Sequence, residues 1–135
     1  MCHQMNRLLA VTALIEAATG LALLAVPSFV VRMLLGEALD GPISLTVARV
    51  GGVALLTLGV ACWLARTDSQ SRAARGLATA MIVYNLGLAL ILGRDGFVLQ
   101  TTGVALWPAV ILHSVMAVWS VRRLPTERHA SRRTA

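Results

Sequence analysis

Four stretches of mostly apolar residues, separated by short polar connections, leave this chain few ways to fold. They run over about 7–26, 43–65, 73–92 and 103–121, and each is close to the roughly 20 residues an α-helix needs to cross about 30 Å of hydrocarbon. Charged residues make up 13% of the sequence and hydrophobic residues 57%, against about 25% charged in a soluble domain. Water is therefore not the main solvent. Inside a bilayer the backbone must satisfy its own hydrogen bonds, which selects helices.

Turn-formers or charges bound these stretches. Pro27 follows the first, Gly41-Pro42 precedes the second, Thr67-Asp68-Ser69 follows it, and Gly93-Arg94-Asp95-Gly96 follows the third. Short connections force neighbouring spans to run antiparallel. The expected fold is all-α: an up-down four-helix transmembrane bundle forming one domain over 1–123, followed by a basic, flexible C-terminal tail over 124–135 that contains His129. The segment from Pro27 to Gly36 is too apolar for a free loop and too short to span. It reads as a short helix in the membrane interface, started by Pro27 and stopped by Gly36. A cleaved signal peptide is the poorer reading of the first span, because Leu23 occupies the minus-three position of a cut after Ala25 and Glu16 interrupts the apolar run.

Charge orients the spans. All twelve basic residues are arginine. Arg7, Arg66, Arg72, Arg75, Arg122, Arg123, Arg128, Arg132 and Arg133 fall on one side and only Arg32 and Arg94 on the other, so the positive-inside rule places both termini in the cytoplasm. In a bacterial cell this is a multi-pass protein of the inner membrane, with its other face periplasmic. Anionic headgroups account for the net charge of +6, and the chain lacks the aromatic platforms of a nucleic-acid binder. Membrane lipids are the expected partners, with a homo-oligomer or larger membrane complex open. Cys2 and Cys62 form neither a disulfide framework nor a CxxC motif.

A strongly polar residue interrupts the interior of each span: Glu16, Arg49, Asn85 and His113. At 1.5 Å per residue they lie roughly 15, 9, 10 and 15 Å below the outer face, each uncertain by about 3–6 Å. Thr12, Glu16, Thr19 and Gly20 share one stripe, and so do Arg49, Gly52, Leu56, Gly59 and Trp63. Gly76 with Ala80 forms a further small-residue pair, and such pairs allow close helix approach. A charge left in hydrocarbon costs about 2.5–3.5 kcal/mol on insertion scales, so Glu16 and Arg49 are expected to form a buried ion pair completed by Asn85 and His113. Tyr84, beside Asn85, extends the layer. Pro108 is expected to bend the fourth helix near 105–108.

This layer has two readings. It is structural glue in an accessory or scaffold protein, or Glu16, Arg49, Tyr84, Asn85 and His113 line a pocket on the periplasmic side for a small amphipathic ligand such as a lipid or quinone. A membrane enzyme or proton-coupled transporter would use Glu16 and His113, the carboxylate orienting the ring. No cofactor is expected: His113 is the only imidazole inside the spans, so two axial haem ligands are lacking within one chain, and no metal-binding spacing is present.

Leu24-Ala25-Val26-Pro27, Leu34-Leu35-Gly36, Ala48-Arg49-Val50-Gly51-Gly52 and Leu58-Gly59 together resemble small bacterial four-helix membrane proteins of unassigned activity, of the DoxX-like kind. The resemblance implies the four-helix fold and an inner-membrane location. It implies no catalytic residue.

Overall fold

The computed structural model describes residues 2–68 and 71–123, with side chains from Gln4 onward. The basic tail expected over 124–135, with His129, lies outside these residues. The described residues form helices and no strands: α1 (Cys2–Ala25), α2 (Pro27–Leu35), α3 (Gly41–Ala65), α4 (Arg72–Val98) and α5 (Leu106–Arg123), with one 3-10 turn, Arg66–Asp68, after α3. Three of these are long and apolar enough to cross a membrane, over Gln4–Ala25, Gly41–Asp68 and Arg72–Val98. This marks a membrane protein by length and composition. The last helix has 18 residues and closes on Arg122-Arg123.

Two antiparallel pairs build the core. Helices α1 and α3 pack together closely, as do α4 and α5. In the first pair the backbones nearly touch. A Cβ added at Gly20 would stand 2.7 Å from the Gly52 carbonyl oxygen, and one added at Gly59 would stand 2.9 Å from both the Ala13 carbonyl oxygen and the Ala17 nitrogen. As the α1 partners advance from Ala13 to Gly20, their α3 partners fall from Gly59 to Gly52, which fixes the antiparallel sense. In the second pair Ala74, Ala78, Met81, Asn85 and Leu92 of α4 are buried, with Met116, Ala117 and Ser120 of α5. Met5, Leu8, Leu9, Ala13, Cys62, Ala74, Ala78, Met81 and Met116 then form one apolar cluster across both pairs.

The expected small-residue faces divide. Gly52 and Gly59 do mark a packed seam, whereas Gly76 has open space where a side chain would go and Ala80 is exposed. Along that part of α4 the packed stripe is Ala74 and Ala78, offset from Gly76 by two residues, about 200° around a helix of 3.6 residues per turn.

Helix α2 starts with Pro27 at its first turn, where a missing N–H costs nothing, and ends at Gly36 in the left-handed conformation, φ 92°. It meets the connection between α4 and α5. The Ala105 N–H donates to the Met33 carbonyl at 2.8 Å, and Gly103 lies directly on the Leu34–Leu35 backbone, with no room for a Cβ.

Two expected boundaries move. Gly93-Arg94-Asp95-Gly96 does not end the third long helix; α4 runs through it to Val98. Gly96 instead serves packing, since a Cβ there would come within 3.0–3.1 Å of Leu106 and Trp107, and Trp107 also stacks edge-on with Phe97 at 4.7 Å. Gln100, at φ 56°, follows the helix end. Residues 103–105, expected in the fourth span, form the approach to α5. Pro108 therefore falls in the first turn of α5, where it interrupts no intrahelical hydrogen bond, and the expected bend has no cause.

Candidate functional site

The polar side chains of α1, α4 and α5 converge. Thr12 and Glu16 lie on the buried side of α1, and Glu16 reaches α4. The Tyr84 hydroxyl donates to Glu16 Oε2 at 2.9 Å, bridging the two helix pairs. On the adjoining face of α4, Asn85 meets His113 of α5, with 2.8 Å between Oδ1 and Nδ1. The Tyr84 and His113 rings stand edge-to-face, their centroids 5.8 Å apart. Consecutive residues of one helix thus reach two neighbours, Tyr84 toward α1 and Asn85 toward α5.

Hydrogen-bond inventory assigns the imidazole. The Asn85 amide nitrogen donates to the Met81 carbonyl at 2.7 Å, which leaves Oδ1 as the group facing the ring. A carboxamide oxygen only accepts, so His113 Nδ1 carries the proton. In the neutral ring Nε2 then holds the lone pair, and it makes no hydrogen bond among the described residues.

Arg49 does not join this layer, and the expected Glu16–Arg49 ion pair is absent. Arg49 is exposed on α3, among the exposed apolar residues Val47, Val50 and Val53. Register and packing both explain the difference. Gly59 lies against Ala13 and Ala17, so Glu16 is level with the turn around Leu58, and Arg49 sits nine residues, roughly 14 Å, further along the axis. The seam at Gly20 and Gly52 is also too tight for a guanidinium to pass between α1 and α3. Tyr84, which the sequence placed only beside the layer, takes the position at Glu16 that Arg49 was expected to hold.

The expected periplasmic pocket at Glu16 is not open either. Glu16 is 3% exposed and Asn85 2%, too little for them to line a water-filled space. A groove of about 360 Å³ lies elsewhere, on the outer face of α5, lined by Ser114, Val115, Val118, Trp119, Arg122 and Arg123. Among the described residues, no three of His, Cys, Asp and Glu gather closely enough to hold a metal ion. The buried Cys62 thiol is free.

No protein-family model matches this chain, and no curated protein or solved structure matches it significantly.

Proposed function

We propose that this chain is a small multi-pass protein of the bacterial inner membrane, of the DoxX-like kind, that works as a non-catalytic accessory or scaffold unit. Helices α1, α3, α4 and α5 cross the bilayer up and down as a four-helix bundle, with α2 lying in the outer interface and both termini in the cytoplasm. The antiparallel pairs support this topology. Among the described residues they collect Arg7, Arg66, Arg72, Arg75, Arg122 and Arg123 at one end with Asp68, while Arg32 and Arg94 share the other end with Glu37, Asp40 and Asp95. Aromatic residues mark both ends, with Trp63 under the Arg66 guanidinium at 3.5 Å on the basic side and Phe97 with Trp107 on the other. Cysteines introduced at Ala38 and Thr67 test the topology. A membrane-impermeant thiol reagent applied to intact spheroplasts is expected to label the first and spare the second.

The observation that carries the scaffold reading is that the buried polar side chains of α1, α4 and α5 bond to one another across the helices. The Glu16–Tyr84 and Asn85–His113 bonds each join two helices, and polar contacts of this kind select one packing arrangement over its slipped alternatives. A pair of Glu16→Gln and His113→Ala variants checks it. Native mass spectrometry after gentle detergent extraction is expected to show both retaining the wild-type set of small molecules. Loss of a copurified quinone or lipid from either variant, with helicity intact, would transfer the proposal to the ligand-carrier reading. The Nε2 of His113, which makes no hydrogen bond among the described residues, favours that second reading, since it is a polar atom of the layer that still has a bond to offer.

A further inference from the structure

The groove on α5 has a composition that its position in the layered core does not explain. Val115, Val118, Trp119 and Arg122 follow the i, i+3, i+4, i+7 spacing of a single helical stripe. Val115 and Val118 are more than half exposed, so the stripe faces outward. It is apolar along its length and cationic at one end, where Arg122 and Arg123 close both the groove and the helix. From Ser114 to Arg123 it measures roughly 14 Å along the axis. Ser114 spends its hydroxyl on the Val110 carbonyl at 2.8 Å, leaving no polar demand at the apolar end. Arg123 differs: its Nε is buried and has no hydrogen-bond partner among the described residues. The guanidinium charges of Arg122 and Arg123 at this end are matched by a phosphate group in charge and in hydrogen-bonding geometry.

We propose that this groove is a binding site for one anionic phospholipid, with an acyl chain along Val115, Val118 and Trp119 and the phosphate held by Arg122 and Arg123. Charge complementarity favours this occupant over a second copy of the chain. The basic end of a neighbouring molecule would bring more arginine to a site that already has two, whereas a lipid brings phosphate at the depth where the helix leaves the apolar region. The site is separate from the Glu16–Tyr84 and Asn85–His113 bonds, and its occupancy does not depend on what they do.

Native mass spectrometry of the full chain in detergent, titrated in parallel with phosphatidylglycerol and phosphatidylcholine of matched acyl chains, tests the site. The wild type is expected to take up one phosphatidylglycerol in preference to phosphatidylcholine. Arg122→Gln with Arg123→Gln should weaken that adduct by roughly tenfold to thirtyfold, since each arginine near a lipid surface contributes about 1 kcal/mol. Val118→Trp should also remove it by filling the groove while both charges remain. Arg72→Gln with Arg75→Gln, which removes equal charge from the same end but not from the groove, should leave it within about threefold of wild type. Circular dichroism confirms that each variant is helical. Equal uptake of the two lipids, loss in the Arg72/Arg75 variant as large as in the Arg122/Arg123 variant, or undiminished binding by Val118→Trp would each overturn the site. So would a wild-type dimer that Val118→Trp dissociates, because the occupant would then be a second copy.

Discussion

Gly59→Leu is expected to separate α1 from α3 and leave a chain that does not reach its native packing in detergent. The first carbon of the new side chain would already stand 2.9 Å from two α1 backbone atoms, the Ala13 carbonyl oxygen and the Ala17 nitrogen, and 3.1 Å from the Ala17 methyl. Backbone cannot turn aside as a side chain can, so the helices must part along the seam. Overpacking a core costs typically about 1–3 kcal/mol where side chains can shift, and the cost here is expected at the top of that range or above it. Gly20→Leu should behave alike, its Cβ falling 2.6 Å from the Leu56 nitrogen. The contrast is Gly87→Ala, where nothing lies within 4 Å; relief of backbone entropy should make it neutral or stabilising by roughly 0.5–1 kcal/mol. Unfolding in mixed micelles, followed by far-ultraviolet circular dichroism, separates the two outcomes. Equal stability of Gly59→Leu and wild type would mean that the seam is not as close as described.

Tyr84→Phe is expected to destabilise the protein more than Tyr84→Phe combined with Glu16→Leu. Removing the hydroxyl alone strands a buried carboxyl group, whose lost bond and unmet desolvation together cost about 1–3 kcal/mol. Replacing both partners by apolar groups of similar bulk removes the unmet demand along with the bond, and such double replacements are often close to neutral. The second substitution should therefore restore more stability in the Tyr84→Phe background than Glu16→Leu adds to the wild type, a difference that additive effects cannot produce. Interhelical hydrogen bonds in membrane proteins average about 0.6 kcal/mol of coupling with a maximum near 1.7, which sets the scale for the double-mutant cycle. A cycle with no coupling would show that the Tyr84 hydroxyl and Glu16 do not depend on one another.

The apolar runs were enough to locate the helices, because solvent choice acts on every residue of a span at once. Pro27 and Gly36 likewise bounded α2 correctly, since both act through their own backbone. The errors came where a residue's role depends on a distant partner. Gly93 and Gly96 look like a turn until Leu106 and Trp107 are placed against α4. Pro108 looks like a kink until the helix is seen to begin at Leu106.

Within the site, Glu16, Asn85 and His113 were visible as polar interruptions of apolar stretches, and helical phase turned Glu16 inward. The partner of Glu16 was not legible in the same way. Opposite charge favoured Arg49, but charge says nothing about register, and the register of α1 on α3 is set by which glycines touch. Tyr84 carried a signal in its place next to Asn85: neighbours on one helix point about 100° apart, enough to reach two different partners from a single turn.

The division into α1 with α3 and α4 with α5 also bears on how the molecule is made. The backbone-to-backbone seam of α1 and α3 lies wholly before residues 69–70, and what crosses from one half to the other is the Tyr84–Glu16 bond, the methionine-rich cluster and, at the α2 end, the Ala105–Met33 backbone bond with Gly103 on Leu34–Leu35. During synthesis the first hairpin can close before the second has left the ribosome, and the two then meet as preassembled units. Their joining adds the backbone contact of α2 with Gly103 and Ala105 to the buried side chains, so α2 latches the two halves only once the connection before α5 is in place.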